Sequence, residues 1–435
     1  MAGEALVDLV PAPVAEYFEA RPGGSPANVA VGLARLGVPA RMLARIADDM
    51  LGRRLRDHLT ANDVDLSHVA PATEQTSMAM VALGADGVPS YDFRIAGTAD
   101  WQWTAEELKG ALDGPVVALH SGSLALTMPP GAAVLRELMA QAAATATISY
   151  DPNCRPMLMG DPADVLAGVH ELLAVADVVK VSSEDLAWLS PEATPEEILE
   201  DWLTRGPAVV AVTLGSDGVL AGTSEGLRVR RPGVLVTVID TVGAGDTFSG
   251  ALLAGLHERD LLGAAARPAL RAVDEPTLHA LLDQAALAAA ITCSRRGADP
   301  PTREDLAWLS PDATSEEILE DWLTRGPAIV AITLGSDGVL AGTSEGLRVR
   351  RPGVLVTVID TVGAGDTFSG AMLAGLHDRG LLGADARPAL RAVDEPTLHA
   401  LLDQAALAAA ITCSRRGADP PTREDLAARA RVVGG

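Results

Sequence analysis

The segment DTVGAGDTFSG occurs at Asp240 to Gly250 and again at Asp360 to Gly370. An apolar run reads as a strand ending at Asp240, the small residues Gly243, Ala244 and Gly245 follow as a turn, and a helix is expected from about Asp246. Backbone N–H groups at a helix N-terminus have no intrahelical acceptor and lie at the positive end of the helix dipole, so such a turn suits a phosphate. An aspartate on the first helical turn is then placed to take a proton from a hydroxyl that attacks the phosphate. Asp in this position is also an ordinary helix cap, so a capped strand-to-helix turn stays open on this segment alone.

Other familiar arrangements do not fit. A phosphate-binding loop of the Gly-Lys-Ser/Thr type needs a lysine after glycine, and neither Lys109 nor Lys180 follows one. A dinucleotide fingerprint needs glycine where Phe248 stands. GTSEG, at Gly222 to Gly226 and Gly342 to Gly346, has the Gly-x-Ser-x-Gly spacing of a nucleophile elbow. It lies between GVLAG and LRVRR, a strand-turn-strand context, and is expected to be a hairpin turn.

The elements that must position these residues alternate. ALVDLV reads as a strand, GGSPANVAVGLARLG as a glycine turn and a helix, and TSMAMVALGADGVPSYDFR as two strands joined by GADG. PVVALHSGS, ATISYDPN, ADVVKVS and AVVAVTLG are short apolar runs that end in polar or glycine residues, with Ala/Leu-rich helical stretches between several of them. Alternating strands and helices give a mainly parallel sheet, with ligands at the C-terminal ends of its strands.

Composition narrows the function. The chain has 435 residues, a formal net charge of −24 and 48% hydrophobic residues. With no basic run, nucleic acid and anionic membrane surfaces are not expected partners. Every Ala/Leu-rich stretch is broken by charges well before the roughly 20 residues of a spanning helix, and the N-terminus lacks the pattern of a signal peptide, so a soluble protein is expected. Cys154, Cys293 and Cys413 show no metal or disulfide spacing, which suits a reducing cytoplasm.

Residues 184–303 align without gaps to 304–423 and differ at eight positions: Glu192/Asp312, Pro195/Ser315, Val209/Ile329, Val212/Ile332, Leu252/Met372, Glu258/Asp378, Asp260/Gly380 and Ala265/Asp385. One long segment copied once is a tandem duplication rather than a solenoid. EDLA opens both copies and recurs at Glu424, so removing one unit of 120 leaves a parent of 435 − 120 = 315 residues.

GEALVDLV, GGSPANVAVGLARLG, DPNCRP, VTLGSDGVL and DTVGAGDTFSG, in that order, resemble the PfkB family of sugar kinases, closest to its fructokinases. The resemblance covers essentially the whole 315-residue parent. It implies an α/β fold, a ribokinase-like three-layer sandwich with a mainly parallel central sheet, a small β lid within about residues 8–25 and 75–98, and the duplicated segment appended. A kinase domain at 1–303 and an incomplete second C-terminal half at 304–435 are expected.

Carried over by position, the resemblance implies that Asp8, Gly23, Gly24 and Asn28 bind sugar hydroxyls, with Arg94 on the lid and Asp151, Asn153 and Arg155 facing the phosphate site. Plain turns or caps are the alternative at Gly23, Gly24 and Asn28. Thr213, Gly215 and Gly218 would border ATP, with Thr333, Gly335 and Gly338 as their equivalents in the repeat. Gly243, Ala244 and Gly245 would form the anion hole and Asp246 the base, with Gly363, Ala364, Gly365 and Asp366 as the second set. ATP with Mg²⁺ and a monovalent cation such as K⁺ are the implied cofactors; a homodimer is compatible with the near-identical copies.

The sequence departs from the family at three places. Only Met1 and Ala2 precede GEALVDLV, so a central strand is expected to be short; Ala47 stands where glycine is usual; and Ser182 and Asp185 hold the place of Asn-x-x-Glu, which makes Asp185 the metal candidate. Kinases for ribose or 2-keto-3-deoxygluconate, and a non-catalytic sugar-binding derivative, remain alternatives. Residues 304–435 lack GGSPAN, the lid and DPNCRP, so contiguity with DVVKVS favours the first copy as the working one.

Overall fold

The computed structural model describes all residues except 12–16, 84–88, 309–314, 325, 362, 384, 416, 418 and 434–435. It divides into two compact units, Met1–Ser310 and Pro311–Gly435.

In the first unit, β1 (Leu6–Pro11) and β2 (Phe18–Gly23) pair antiparallel, with Asp8 opposite Arg21. Gly24 then turns the chain into α1 (Ser25–Arg35), where proline in the first turn is tolerated because the N–H there would be unpaired. β3 (Arg45–Ala47), α2 (Met50–Ala61) capped by Asp49, and β4 (Ala70–Ala72) lead to β5 (Met78–Leu83) and β6 (Pro89–Arg94). β1, β2, β5 and β6 give a four-stranded sheet of order β2-β1-β5-β6, and β3 pairs with β4 separately. The expected GADG turn between β5 and β6 lies outside the described residues.

The central sheet has the order β12-β11-β10-β9-β8-β7. β7 (Ala118–Gly122), β8 (Thr147–Asp151), β9 (Val178–Ser182) and β10 (Val209–Thr213) are parallel. α3 (Gly131–Ala142), the short α4 (Pro156–Met159), α5 (Pro162–Leu173), α6 (Ser183–Leu189) and α7 (Pro195–Thr204) make the crossovers. β11 (Val219–Thr223) and β12 (Arg228–Arg231) add an antiparallel hairpin whose turn contains GTSEG, in the strand-turn-strand setting that its flanks imply. α8 (Ala244–Glu258), α9 (Arg267–Arg271), α10 (Glu275–Cys293) and α11 (Arg303–Trp308) complete the unit.

Alternation along the strands sorts side chains to two covered faces. Val178, Val209 and Ala211 join the core that includes α1, α8 and α10, whereas Val179, Val181, Val210 and Val212 join the core that includes α3, α5 and α7. A sheet buried on both faces by helices is the three-layer arrangement of this α/β class.

Three findings modify the sequence expectations. ALVDLV belongs to the four-stranded sheet, and beyond β7 the pairing is continued by residues 1–3: Ala2 N donates to His120 O at 2.9 Å, and Gly3 N donates to Leu43 O at 3.0 Å. The apolar run before Asp240 is not a strand. After Pro232 and Gly233 the chain stays irregular, with Leu235 96% exposed, and is held where Ile239 N and Asp240 N both donate to Cys293 O. The first unit also continues past Arg303 into the second copy, because Thr302 and Asp305 cap α11 reciprocally and Leu306 packs on the core.

The second unit contains α12 (Ser315–Thr324), a three-stranded sheet of β13 (Ile329–Thr333), β14 (Val339–Thr343) and β15 (Arg348–Arg351), then α13 (Ala364–Asp378), α14 (Arg387–Arg391), α15 (Glu395–Cys413) and α16 (Arg423–Val433). Its β13 is an edge strand, whereas the matching β10 of the first unit pairs with β9. Among the described residues, no helix of either unit is long and apolar enough to cross a membrane.

Candidate active site

Asp246 lies on the first turn of α8 with only 8% of its surface exposed. Its Oδ1 accepts from Ser25 Oγ at 2.7 Å and its Oδ2 from Asn28 Nδ2 at 2.8 Å. Both donors sit on the first turn of α1, which packs alongside α8. Gly250 faces this contact, its Cα side lying against the backbone of Val29, Gly32 and Leu33.

The turn ahead of Asp246 needs its glycine. Gly243 has φ +76°, a left-handed value that side chains resist, and a Cβ would fall 2.4 Å from Ala298 Cβ. The helix begins at Ala244, two residues earlier than the sequence suggests. Ala244 N donates to Thr241 O at 3.2 Å, so of the three expected anion-hole donors only Gly243 N and Gly245 N lack an acceptor among the described residues.

Asp8 projects from β1 beside Gly23, where a Cβ would lie only 2.3 Å from Asp8 Oδ2. Gly24 combines φ +102° with a close approach to Glu4 O. Gly23 thus leaves room for the Asp8 carboxylate, and Gly24 is required by its own backbone angle and by the Glu4 backbone. Burial pushes Asp8 up to about 6, against the pull of the Arg155 guanidinium and with the Asp246 charge adding to the rise.

Asp151 ends β8 and is buried, and burial raises its carboxyl to about 6 despite Lys180 beside it. Asn153 N donates to Asp151 Oδ1 at 3.1 Å, so DPN forms an Asx turn with Asn153 at φ 40°. Arg155 folds back, its Nη1 donating to Asn153 Oδ1 at 2.7 Å and to Cys154 O at 2.9 Å. Arg94 stands apart from this group: it is exposed on β6 and pairs with Asp92 at 2.8 Å.

Thr213 ends β10, and Gly215 follows on a 3₁₀ turn with φ +59° and open space around its Cβ position. Gly218 closes the turn into β11, and a Cβ there would meet Arg231 O at 2.0 Å, which explains its identity without a ligand. Asp185 is occupied as well. Its Oδ1 accepts from Cys154 N at 2.8 Å and its Oδ2 from Ser182 Oγ at 2.8 Å in a capping box. Among the described residues no group of three or more His, Cys, Asp or Glu side chains could hold a metal.

Two residues of the site escape the sequence reading. Ser25, inside GGSPAN, is a ligand of Asp246. Lys180, in DVVKVS, is a buried cation with Nζ 3.1 Å from Asp151 Oδ2. The register Ser149↔Val178 and Tyr150↔Val179 continues to set Asp151 abreast of Lys180, both on the sheet face toward α8.

The second copy has the same turn without this setting. Gly363 adopts φ 76° and α13 starts at Ala364, but Asp366 is exposed and a Cβ on Gly365 or Gly370 would meet nothing within 4 Å.

The profile described as pfkB family carbohydrate kinase matches residues 2–305 and again 300–425. A fructokinase of Rhizobium leguminosarum bv. trifolii is 36% identical over 263 residues, which cover 60% of this chain and 80% of the relative. The crystal structure of a Xylella fastidiosa fructokinase with bound ATP superposes with a TM-score of 0.65 at 30% identity, covering 70% of this chain and 95% of that one. A Vibrio cholerae O395 fructokinase in fructose, ADP and calcium ion bound form superposes at 0.59 with 30% identity, covering 68% and 93%.

Proposed function

This chain belongs to the pfkB family of carbohydrate kinases and is a sugar kinase, and from that premise we propose that it transfers the γ-phosphoryl group of ATP to a hydroxymethyl group of fructose. The observation that carries the reading is Asp246 held by Ser25 and Asn28 at the start of α8, directly after a turn with two free backbone donors.

In this reading the fructose hydroxyl gives its proton to Asp246 as its oxygen attacks the γ-phosphorus. Gly243 N and Gly245 N, at the positive end of α8, hold the phosphoryl oxygens where charge accumulates. Ser25 and Asn28 orient the base, and Asp8, with Asn28, accepts and directs sugar hydroxyls. The four-stranded sheet acts as a lid that keeps water from competing for the phosphoryl group. Thr213 and Gly215 border the nucleotide, Mg²⁺ arrives with it, and a monovalent cation beside the 240–245 turn belongs to the same reading. The working domain is residues 1–303 with α11 as its closing helix. A cytoplasmic location suits three cysteines without disulfides.

The test is ADP release by purified protein with MgATP over a panel of fructose, ribose and 2-keto-3-deoxygluconate. Fructose should give the highest kcat/KM. Preference for another sugar would move the substrate assignment, and sugar binding without ADP release from folded protein would make the chain a non-catalytic derivative.

A further inference from the structure

Lys180 is buried at 5% exposure in a strand whose neighbours are valines. Removing an ammonium and a carboxylate from water costs several kcal/mol per ion, and an apolar pair of similar size would pack there at no such cost. The pair therefore calls for a reason beyond stability. Its position supplies one. A Cβ on Gly245 would lie 2.6 Å from Lys180 Nζ, so the ammonium sits directly against the turn where the kinase reading puts the phosphoryl group.

Three further facts bear on its role. Asp151 is its one acceptor among the described residues, at 3.1 Å, and an ammonium has three donors, which leaves two for a ligand. The carboxylates of Asp151, Asp185 and Asp246 all act on it, and although burial works against the charge they hold the ammonium above its ordinary value. A phosphoryl group entering beside those three carboxylates would meet strong repulsion without a cation at this point.

We infer that Lys180 contacts the transferred phosphoryl group: its ammonium, tethered by Asp151, hydrogen-bonds a γ-phosphate oxygen next to Gly245 and offsets the charge of the surrounding carboxylates. The inference rests on the kinase reading above. In the transfer, the bond from the γ-phosphorus to the ADP oxygen breaks, the bond to the sugar oxygen forms and the hydroxyl proton passes to Asp246. Lys180 keeps its protons throughout.

The experiment compares wild type, Lys180→Met, Asp151→Asn and the double variant in the full chain, each checked for native circular dichroism. Removing one donor to developing charge typically costs ~10²–10³ in kcat, so Lys180→Met should lose about that much with the sugar KM little changed. The double variant removes the unpaired carboxylate and restores any lost folding stability, yet should stay as slow as Lys180→Met. Recovery of kcat in the double variant, or wild-type kcat in Lys180→Met, would make Lys180 a structural counter-ion of Asp151 and overturn the inference. A second readout does not depend on variants. The chain has two lysines, so ¹⁵N-lysine labelling gives two side-chain signals. A non-hydrolysable ATP analogue should move that of buried Lys180 and leave exposed Lys109 in place, and an unmoved Lys180 signal at saturation would also overturn the inference. If wild type releases no ADP with any sugar, the kinase reading itself fails. If wild type is active and Lys180→Met matches it, only the Lys180 inference fails.

Discussion

Asn28 Nδ2 donates to Asp246 Oδ2 at 2.8 Å, joining residues 218 positions apart in sequence. In the proposed mechanism one amide serves the base as well as the face where sugar hydroxyls are placed. Asn28→Ala should therefore raise the sugar KM and also lower kcat, since losing a buried polar partner costs roughly 1–3 kcal/mol, about tenfold or more in rate. Steady-state kinetics with fructose varied at saturating ATP separates the two effects. A change in neither constant would leave Asn28 as a helix residue only.

Acid should slow the enzyme before it unfolds it. Burial holds Asp8 and Asp151 at about 6, so both become protonated as pH falls through that value. Protonated Asp8 loses the charge that makes it a strong acceptor for the sugar, and protonated Asp151 loses its ion pair with Lys180. kcat/KM should then fall about tenfold or more per pH unit below 6. Stability should change little across the same range, because two sets of groups oppose each other. Raised carboxyls such as Asp8, Asp151 and Glu4, the last pushed to about 7 by burial, bind protons earlier when folded and favour the folded state as pH drops. His120, pushed down to about 3 by burial, resists a proton that the unfolded chain takes near 6.5, and so works the other way. Parallel pH series of initial rate and thermal midpoint check this, and a midpoint that collapses together with the rate as pH falls below 6 would count against it.

The glycine turn and its aspartate are legible in sequence because spacing alone dictates them: small residues, then an acidic first turn, then an apolar helix. The run before Asp240 misleads because apolar composition signals a buried strand only where a neighbouring edge is available. Here Gly233 approaches Ser216 O so closely that a Cβ would lie at 2.1 Å, and the chain leaves the sheet after Arg231. Lys180 is silent in sequence for a different reason. Nothing in DVVKVS marks its lysine as part of a site, and only the pairing of β8 with β9 under α8 sets it beside Asp151 and the glycine turn. The contact of Ser25 with Asp246 is a tertiary fact of the same sort, since it depends on α1 lying against α8.

Removing residues 304–423 joins Arg303 to Glu424 and leaves REDLA intact at the junction. In the full chain Arg303 Nε donates to Leu36 O at 3.2 Å, and in the shortened one Asp425 and Leu426 should replace Asp305 and Leu306 in the cap and the core contact. The shortened chain also loses exposed apolar side chains, Leu355 at 95% and Leu373 at 55%. It should be at least as soluble and keep kcat within about twofold of the full chain. Size-exclusion chromatography and the ADP assay decide it. Loss of folding would mean that the second copy supports the first unit in a way its sequence repeat conceals.

The two copies of DTVGAGDTFSG differ in surroundings rather than in residues, and substitution can separate them. Asp246 has 8% exposure, two hydrogen-bond donors from α1 and Lys180 near its turn, whereas Asp366 is exposed on a helix that buries only Phe368, Met372, Gly375 and Leu376. Asp246→Asn keeps the shape of the turn and removes the base, so kcat should fall by ~10²–10⁴, the usual contribution of general-base catalysis. Asp366→Asn should leave kcat unchanged. Glycine gives an independent check: Gly245→Ala forces a methyl against Lys180 Nζ, while Gly365→Ala enters open space. The first should impair turnover, and the second should not. Substantial residual activity in Asp246→Asn that disappears in the double variant with Asp366→Asn would show that residues 1–183 also pair with the second copy, an exchange that the near-identity of the two segments permits. Loss of activity in Asp366→Asn alone would place the working base in the second copy and overturn the assignment of Asp246.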